Sequence, residues 1–514
     1  MAERRPGEEQ PAVETPPAAP AGSAAYPPRL AAGLVFFASG AVLVLEVVGL
    51  RLVAPYVGIT LQTNSAVIGV ALAAIAGGAW TGGRLADDAD PRRLVPATLA
   101  LAGVVTMLTL PLVRAVGPAM QSDDPLTATA LAFIAIFAPA AFLAAVTPMV
   151  IKLQLRDLRR TGSLVGRLSG IGTLGAILAT FVTGFVLVAA LPSSVIVIGL
   201  GAATLAIGLA LGLAPGSAWR PPPALVLLGV AGIGLATATP SPCQVETAYH
   251  CARVVADPAR PAGRYLVLDT LLHSYEDLSD PTYLAFPYVQ AIASVADVVR
   301  PAGQPISALH IGGGGLTLPR YVAATRPGSE NRVLEIDGGI IALDRARMGL
   351  RARPGLTIDL GDARVSLAGE PTAGRDLVVG DAFGGLAVPW HLTTREVAVE
   401  LRRILRPDGI YAVNVIDFPP DRFVRAEVAT IASVFPDLAV IADQASLNGA
   451  GGGNFVIVAS ATTLPLDALR SRLSARESGL DVGAGAAVAR FAGGAAVLRD
   501  DYAPVDQLIT HPAP

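Results

Sequence analysis

The chain has 514 residues and a formal net charge of -3; 52% of the residues are apolar and only 15% are charged. A soluble protein usually carries roughly 25% charged residues, so this composition indicates a membrane-embedded part. The absence of a basic surplus argues against a nucleic-acid-binding protein. Two cysteines are too few for a cysteine-based zinc cluster, and the only lysine, Lys152, lies in the apolar half. The other half therefore cannot use a Walker-type lysine or a lysine Schiff base.

Residues 1–28 contain many prolines and alanines and predict a disordered tail. A cleavable signal peptide is not expected there, because Arg4 and Arg5 are not followed by an apolar stretch.

The segment 29–240 is almost entirely apolar and predicts a multi-pass α-helical membrane domain. A helix needs about 20 apolar residues to cross the hydrocarbon core. Seven stretches qualify, at 30–50, 64–83, 94–113, 126–151, 168–190, 193–213 and 222–240. The connections between them carry proline, glycine and charge, as helix ends do.

Basic residues predict the orientation of these helices, because arginine and lysine concentrate in cytoplasmic loops. If the N-terminus is cytoplasmic, only Arg51 and Arg114 fall on the opposite side. The cytoplasmic side then holds Arg4, Arg5, Arg29, Arg84, Arg92, Arg93, Lys152, Arg156, Arg159, Arg160, Arg167 and Arg220. This bias predicts a multi-pass protein of the cell membrane. Seven crossings would place the chain after Pro240 outside the cytoplasm, and an even number would reverse that.

Two features of the membrane half suggest specific contacts. Glu46 and Arg51 lie at the end of the first helix, where charges are costly, and are predicted to form an intramembrane pair. The alternative is an interfacial pair that extends to the lipid headgroups. Glycines spaced four residues apart at 78–82 and 166–170 fit the small-residue pattern of closely packed helices.

The segment 241–514 alternates short β-type runs with helical ones and predicts an α/β Rossmann-like, doubly wound domain of the class I methyltransferase type. A small β-hairpin, His250–Ala256 and Arg264–Asp269, should precede its main sheet. The main strands are expected at Ser307–Ile311, Arg332–Ile336, Leu356–Leu360, Leu377–Val379, Ile410–Ile416, Leu438–Ala442 and Phe455–Ala459.

Glycines and acids follow four successive strands of this predicted sheet. The first strand runs into Gly312–Gly315, and the second ends in Glu335 and Asp337. The third is followed by Asp362 and the fourth by Asp381. Because ligands bind beyond the carboxyl ends of such strands, these residues predict an adenosine-type pocket in which an acid holds the ribose. Each of these acids, taken alone, could instead be a helix N-cap.

Several motifs in this half resemble the polyamine aminopropyltransferase (spermidine synthase) family. They are Glu246-Thr-Ala-Tyr249, Tyr265-Leu-Val-Leu-Asp269, Ile311-Gly-Gly-Gly314, Leu334-Glu-Ile-Asp337, Gly361-Asp362 and Leu392-Thr-Thr-Arg-Glu396, in the order and spacing of the family over about 240–460. With the membrane half, the ending Asp500-Asp-Tyr-Ala-Pro504 resembles the subfamily that fuses a transporter-like helical domain to this domain.

The resemblance implies decarboxylated S-adenosylmethionine as cofactor, no metal, and transfer of an aminopropyl group to an amine. By position, Glu335 would hold the ribose and Asp362 the adenine amine, with Asp337 and Ala363 beside them. Gly312, Gly313 and Gly314 would form the loop beside the sulfonium. Asp381 falls on the catalytic aspartate, which would take a proton from the attacking ammonium because only a neutral amine is nucleophilic.

The chain departs from the family on the side that would bind the amine. Gly315 and Gly384 stand where the family has aspartates, and only Tyr283 of its Tyr-His-Glu motif is present. His273 replaces a glutamine that faces the amine. His273 and Tyr283 are therefore predicted to bind the acceptor, but the acids that would grip a diamine are missing, which argues against putrescine.

Three functions remain open from the sequence. The first is an aminopropyltransferase-like enzyme with an altered acceptor. The second is a methyltransferase that uses intact S-adenosylmethionine, since Gly315 removes a carboxylate that would repel the methionine carboxylate. The third is a non-catalytic nucleoside- or polyamine-binding module coupled to transport. The expected partners are an amine or other small-molecule acceptor and the lipid bilayer, without nucleic acid, and a homodimer is left open.

Cys243 and Cys251, the only cysteines, stand eight residues apart just beyond the seventh predicted helix. The arginine count places them outside the cytoplasm, where disulfides persist. The hypothesis is a disulfide that tethers the α/β domain to the end of the membrane domain. Two unlinked thiols in apolar packing are the alternative.

Overall fold

The structure is a computed structural model, which describes residues 25–122 and 124–510. A helical half extends to Ala238, and an α/β half begins at Val245. Most of the tail predicted at 1–28 lies outside the described residues. The predicted order of a helical domain followed by an α/β domain is confirmed.

Six helices in the described residues are long and apolar enough to cross a membrane. They are Pro28–Val57, Leu61–Asp88, Pro91–Ala119, Pro125–Gln154, Leu158–Ala190 and Ser193–Leu213. The seventh predicted stretch forms the helix Pro223–Ala238, which has only 16 residues. All seven predicted stretches are therefore helical, but the last is shorter than the roughly 20 residues that a perpendicular crossing needs.

Small residues allow some of these helices to pack backbone against backbone. At Gly82 in the second helix, an added Cβ would lie 2.6 Å from the Cα of Ala145 in the fourth. The contact predicted at 78–82 is therefore present. The prediction for 166–170 is wrong, because nothing lies within 4 Å of a Cβ built at either glycine. The fifth helix instead uses Gly175, one turn beyond, which packs directly on the backbone of Phe36.

Contacts at one end of the helical half join the residues near the N-terminus to two helix connections. The side chain of Gln154 donates a hydrogen bond to the carbonyl of Tyr26 at 2.9 Å. At the same end, Lys152 and Asp87 form an ion pair at 2.5 Å. This end carries most of the arginines that the sequence assigns to the cytoplasm.

The α/β half lies at the other end of the helices. Arg114, near the end of the third helix, donates to the carbonyls of Ala236 and Thr239 at the end of the seventh. The first and third helices and the seventh thus all finish at this end. The start of the first helix at Pro28 and the α/β half are therefore at opposite ends of the helical half, as an odd number of antiparallel helices requires.

The predicted pair of Glu46 and Arg51 is wrong. Five residues turn a helix by about 500°, so the two side chains point about 140° apart. Arg51 instead donates to the hydroxyl of Ser193 at 3.0 Å and to the carbonyls of Thr247 and Ala248. A membrane-half arginine therefore binds the first residues of the α/β half.

The α/β half begins with a small antiparallel sheet rather than the predicted hairpin. Its four strands, in spatial order, are β1 (Val245–Glu246), β2 (Cys251–Ala256), β3 (Gly263–Leu268) and β4 (Leu271–Asp277). The hairpin is β2 and β3. The strand β4 was not predicted because its sequence, Leu-Leu-His-Ser-Tyr-Glu-Asp, lacks an alternating apolar pattern.

The main sheet has the predicted doubly wound form. Its strands are β5 (Ser307–Ile311), β6 (Glu330–Glu335), β7 (Leu356–Leu360), β8 (Arg375–Gly380), β9 (Leu405–Asp417), β10 (Asp437–Ala442), β11 (Gly453–Ser460) and β12 (Asp481–Ala484). Their order is β12-β10-β11-β9-β8-β5-β6-β7, with neighbours parallel from β9 to β7. The strand β12 was not predicted, because it is short and rich in small residues.

Helices cover both faces of this sheet. They are Pro287–Val298, Thr317–Thr325, Gly338–Arg347, Ala363–Leu367, Arg395–Ile404, Arg422–Ala432, Gln444–Leu447, Leu466–Ala475, Ala486–Ala492 and Val505–Leu508. Neighbouring strand residues point to opposite faces, so Leu309 and Ala308 of β5 belong to two separate apolar cores. Between β5 and β8 the chain order reverses, which leaves a crevice beyond the strand ends.

Candidate active site

A cavity of about 210 Å³ lies beyond the carboxyl ends of β5, β6 and β8, at the reversal of strand order. It is lined by eight of the residues that the sequence singled out, namely Gly312, Gly313, Gly314, Glu335, Asp362, Ala363, Asp381 and His273. These residues come from five separate segments that only the fold brings together. Two other predicted residues, Asp337 and Tyr283, do not line the cavity.

The carboxylate of Glu335 is held by the backbone on both sides. One oxygen accepts a hydrogen bond from the N–H of Gly313 at 2.7 Å, and the other accepts from the N–H of Asp337 at 2.8 Å. Glu335 is only 6% exposed. Each carboxylate oxygen can accept a second hydrogen bond, so the group is oriented in advance for a pair of hydroxyls such as those of a ribose.

Asp337 caps a helix and is not a ligand-binding residue in this arrangement. Its side chain accepts from the N–H of Gly339 at 2.9 Å, at the start of the helix Gly338–Arg347, and also from the hydroxyl of Thr247. It is 1% exposed. The prediction for Asp337 is corrected because the strand β6 ends at Glu335, so the second acid falls at the N-cap position.

These hydrogen bonds form a continuous path between the two halves of the molecule. Arg51 donates to the carbonyl of Thr247, and the hydroxyl of Thr247 donates to Asp337. The N–H of Asp337 in turn donates to Glu335. Arg51 of the first apolar helix is thereby linked through two residues, Thr247 and Asp337, to the carboxylate of Glu335 in the cavity.

The carboxylate of Asp362 caps a helix with one oxygen and faces the cavity with the other. One oxygen accepts from the N–H of Arg364 at 2.7 Å and caps the short helix that begins at Ala363. The other oxygen lies 3.5 Å from Nε2 of His391, which also lines the cavity. The side chain is 40% exposed, so this oxygen can accept from a further donor such as an adenine amine.

The glycine run brings β5 directly against the segment that follows β8. Gly312 has φ of 91°, in the left-handed region that favours glycine, and a Cβ there would collide with the carbonyl of Asp381. At Gly315 an added Cβ would lie 2.9 Å from the Cβ of Ser274 and 3.2 Å from Met348. The N–H of Gly315 donates to Ser274 at 2.8 Å. Ser274 and Met348 thus fill the space that the missing aspartate would need.

Asp381 is a half-buried carboxylate with one side-chain donor. Its Oδ1 accepts from the side-chain amide of Asn414 at 3.0 Å. Burial raises the pKa of Asp381 to about 6, although the hydrogen bond from Asn414 opposes this shift. A carboxyl group with a pKa near neutrality can accept and release a proton at physiological pH, which suits a general base.

The remaining wall of the cavity carries uncharged polar groups. Burial, and secondarily the neighbouring His250, lower the pKa of His273 to about 4, so its imidazole is neutral at pH 7. The hydroxyl of Tyr288 donates to the carbonyl of His273 at 3.2 Å. Burial, with a smaller contribution from Asp381, holds the pKa of Tyr288 well above its usual value.

The prediction that Tyr283 faces the acceptor is corrected. The guanidinium of Arg260 lies 3.7 Å from the centre of the Tyr283 ring, and the ring of Tyr275 packs against it at 5.6 Å. These contacts hold Tyr283 in the loop beyond β4, away from the cavity. Tyr288, five residues on, lines the cavity instead.

The polar cavity residues that the sequence analysis missed include Asn414, Asn454 and Tyr288. The sequence did contain a sign that Asn414 is a site residue. It interrupts the apolar run Ala412-Val-Asn-Val415 of a central strand, and a buried side-chain amide needs a hydrogen-bond partner. Asn454, in β11, pairs with Ile416 of β9. That Asn454 lines the cavity follows only from the pairing of β9 with β11, which the sequence does not reveal.

A disulfide lies between the helical half and β2. The Sγ atoms of Cys243 and Cys251 are 2.10 Å apart, and their Cα atoms are 5.0 Å apart. The neighbouring Asp269 accepts from the N–H of Cys251 and lies 2.9 Å from Nδ1 of His250. The linker after the seventh helix is thus fixed to the small sheet beside the cavity.

No protein-family model matches this chain. Over 209 residues, 40% of the chain, it is 28% identical to the polyamine aminopropyltransferase of Vibrio vulnificus (strain CMCP6). The match spans 66% of that relative, just under two thirds of its length.

Two solved structures also resemble parts of the chain. A crystal structure of a probable spermidine synthase from Corynebacterium glutamicum ATCC 13032 is 28% identical, with a TM-score of 0.47, over 52% of this chain and 98% of the other. Human methyltransferase-like protein 13, solved in complex with SAH, is 20% identical, with a TM-score of 0.31, over 44% and 100% of the respective chains. The sequence match agrees with the motifs of the α/β half, which is thus similar to polyamine aminopropyltransferases (spermidine synthases).

Proposed function

We propose that the α/β half binds decarboxylated S-adenosylmethionine and transfers its aminopropyl group to an amine. The observation that carries this proposal is the position of Asp381, a carboxyl group with a pKa of about 6 placed beside the glycine run and open to the cavity. Glu335 and Asp362, with hydrogen-bond capacity directed at the same cavity, supply the contacts for a ribose and an adenine.

The charges of the cavity favour the decarboxylated cofactor. Its described lining includes three carboxylates, Glu335, Asp362 and Asp381, and neither lysine nor arginine. Intact S-adenosylmethionine would bring a carboxylate into this wall without a cationic side chain to pair with it, which is costly in a buried site. The decarboxylated cofactor lacks this carboxylate. This difference argues against the methyltransferase alternative.

The residues of the chain account for the steps of such a transfer. The cofactor supplies a sulfonium, which makes the adjacent propyl carbon electrophilic. Asp381, oriented by Asn414, takes a proton from the acceptor ammonium and leaves a neutral amine. The amine nitrogen then forms the new C–N bond while the C–S bond breaks and its electron pair returns to sulfur. Holding both reactants in one cavity lowers the entropic part of the barrier.

The proposal is tested with the full-length protein in detergent or nanodiscs. Decarboxylated S-adenosylmethionine and a panel of primary amines are supplied, and nucleoside products are separated by chromatography. We expect release of methylthioadenosine that depends on the amine. Formation of S-adenosylhomocysteine from the intact cofactor, without methylthioadenosine, would show a methyltransferase instead.

A specific observation favours a second candidate, a nucleoside- or polyamine-binding module coupled to transport. The α/β half lies at the opposite end of the helices from the arginine-rich loops and carries the disulfide between Cys243 and Cys251. Both features fit an extracytoplasmic domain. The cofactor is made in the cytosol, so a domain outside it would be expected to bind a ligand rather than to consume this cofactor.

Labelling of intact cells with a membrane-impermeant maleimide tests this location. An extracytoplasmic, disulfide-bonded domain should label only after treatment with an impermeant reductant. Labelling that needs cell lysis would place the domain in the cytoplasm and leave the transferase as the better candidate. Labelling without reductant would show that the two thiols are not bonded.

A further inference from the structure

The cavity has two sides that differ in charge. The side around Glu335 and Asp362 is the nucleoside side. The other part of the lining, here called the acceptor side, includes His250, Leu271, His273, Phe383, Leu386 and Asn414, together with Asp381. Among the described lining residues, Asp381 is the one carboxylate that can serve the acceptor side.

A further carboxylate, Asp269, at the turn between β3 and β4, is not among the residues that line the cavity. It pairs with Nδ1 of His250 at 2.9 Å and accepts from the N–H of Cys251 at 3.0 Å. His273 is neutral at pH 7, as its lowered pKa shows. With the acceptor amine at Asp381, the acceptor side has no further carboxylate for a second ammonium group on the acceptor.

The edge of the acceptor side is apolar and reaches the helical half. Leu268, Leu271 and Leu272, at the turn between β3 and β4, line the cavity together with Phe383 and Leu386. Next to them, a Cβ added to Gly385 would lie 2.9 Å from the carbonyl oxygen of Ile59, in the connection between the first two apolar helices. The apolar edge thus continues to the end of the helical half that would face the membrane surface.

We propose that the acceptor is a primary monoamine with an apolar chain, whose amine meets Asp381 while the chain lies along these leucines toward the helical half. This inference rests on the transferase function proposed above. Burying a second, unpaired ammonium in this wall would cost free energy, so a diamine of the same length should bind less tightly. A free alkylamine and an amine carried by a lipid share this chemistry.

The test compares 1-aminohexane with 1,6-diaminohexane, which differ by one amine. Their binding to the full-length protein in phosphatidylcholine nanodiscs, saturated with methylthioadenosine, is measured by calorimetry. We expect 1-aminohexane to bind at least tenfold more tightly. Equal or tighter binding of the diamine, or binding of neither amine, would overturn the proposal.

A charge substitution provides a matched second test. His273→Glu adds a carboxylate to the acceptor side, whereas His273→Gln has nearly the same shape without the charge. The glutamate variant should tighten diamine binding by at least tenfold relative to the glutamine variant, provided both still bind methylthioadenosine and are thus folded. Equal diamine affinity in the two variants would contradict the proposed charge balance.

The readouts separate this inference from the function on which it rests. If amines bind in the expected order but no methylthioadenosine is released in turnover, the transferase function fails and the acceptor class stands. Nanodiscs doped with stearylamine then distinguish the source of the amine. Weaker apparent binding of 1-aminohexane in the doped discs indicates a lipid-borne acceptor, and unchanged binding indicates a free alkylamine.

Discussion

The nucleoside side and the acceptor side of the cavity hold their carboxylates in different ways. Glu335 accepts hydrogen bonds from two backbone N–H groups, whereas Asp381 has a single side-chain donor, Asn414. Backbone donors fix a carboxylate in place because they belong to the fold itself. A buried carboxylate with few donors keeps a raised pKa and remains able to take a proton. The same chemical group is thus suited to binding on one side and to proton transfer on the other.

The largest expected effect is at Asp381. Asp381→Asn keeps the shape and the contact with Asn414 but removes the base, so turnover should fall by about 10²–10⁴. The affinity for methylthioadenosine should change little. Product release measured by chromatography and affinity measured by calorimetry check the two parts. A parallel loss of thermal stability and binding, without a selective effect on turnover, would show that Asp381 has a structural role. The proposed difference between Glu335 and Asp381 would then be wrong.

A smaller effect on binding is expected at Glu335. Glu335→Ala removes a charge-assisted hydrogen-bond acceptor and should weaken methylthioadenosine binding by about 1.5–3 kcal/mol. Glu330→Ala is a matched control, since Glu330 lies exposed at the other end of the same strand. Equal affinity of the Glu335 variant and the unchanged protein would remove the nucleoside assignment.

The pH dependence of turnover sharpens the comparison further. Asp381 is ionised above its pKa of about 6, so kcat/KM should rise as the pH increases through that value. The hydrogen bond from Asn414 stabilises the ionised form. Asn414→Leu should therefore move the acidic limb of the profile to higher pH. If the acidic limb of the kcat/KM profile does not move in Asn414→Leu, a group other than Asp381 controls it.

The smallest effect is expected in the hydrogen-bonded path from the helical half. Thr247→Val removes the hydroxyl that donates to Asp337 and should destabilise the junction by about 0.5–1.5 kcal/mol. Methylthioadenosine binding should weaken by less than in the Glu335 variant, because Glu335 keeps its own backbone donors. Thr247→Ser retains the hydroxyl and serves as the control in thermal unfolding and calorimetry. Identical behaviour of the valine and serine variants would show that this hydroxyl does not support the path.

Much of the fold followed from local patterns in the sequence. Continuous apolar stretches predicted the helices, and strand ends followed by glycine or acid predicted where the cavity would be. Strands β1, β4 and β12 were not predicted: β1 has only two residues, β4 lacks an alternating pattern, and β12 is short and rich in small residues. The length of the seventh helix was also overestimated, since hydropathy does not mark where a helix stops.

What the sequence by itself determined is the set of segments and the chemical groups at their ends, because hydrophobic periodicity and turn residues act over a few positions. Only the tertiary structure decided which group each residue meets. Asp337 caps a helix because β6 ends two residues earlier, and Arg51 binds Thr247 because the first helix ends against the α/β half. Asn414 reaches Asp381 because β8 and β9 are neighbours. The contacts of Arg51 and Asn414 join residues 196 and 33 positions apart, and no local pattern encodes them.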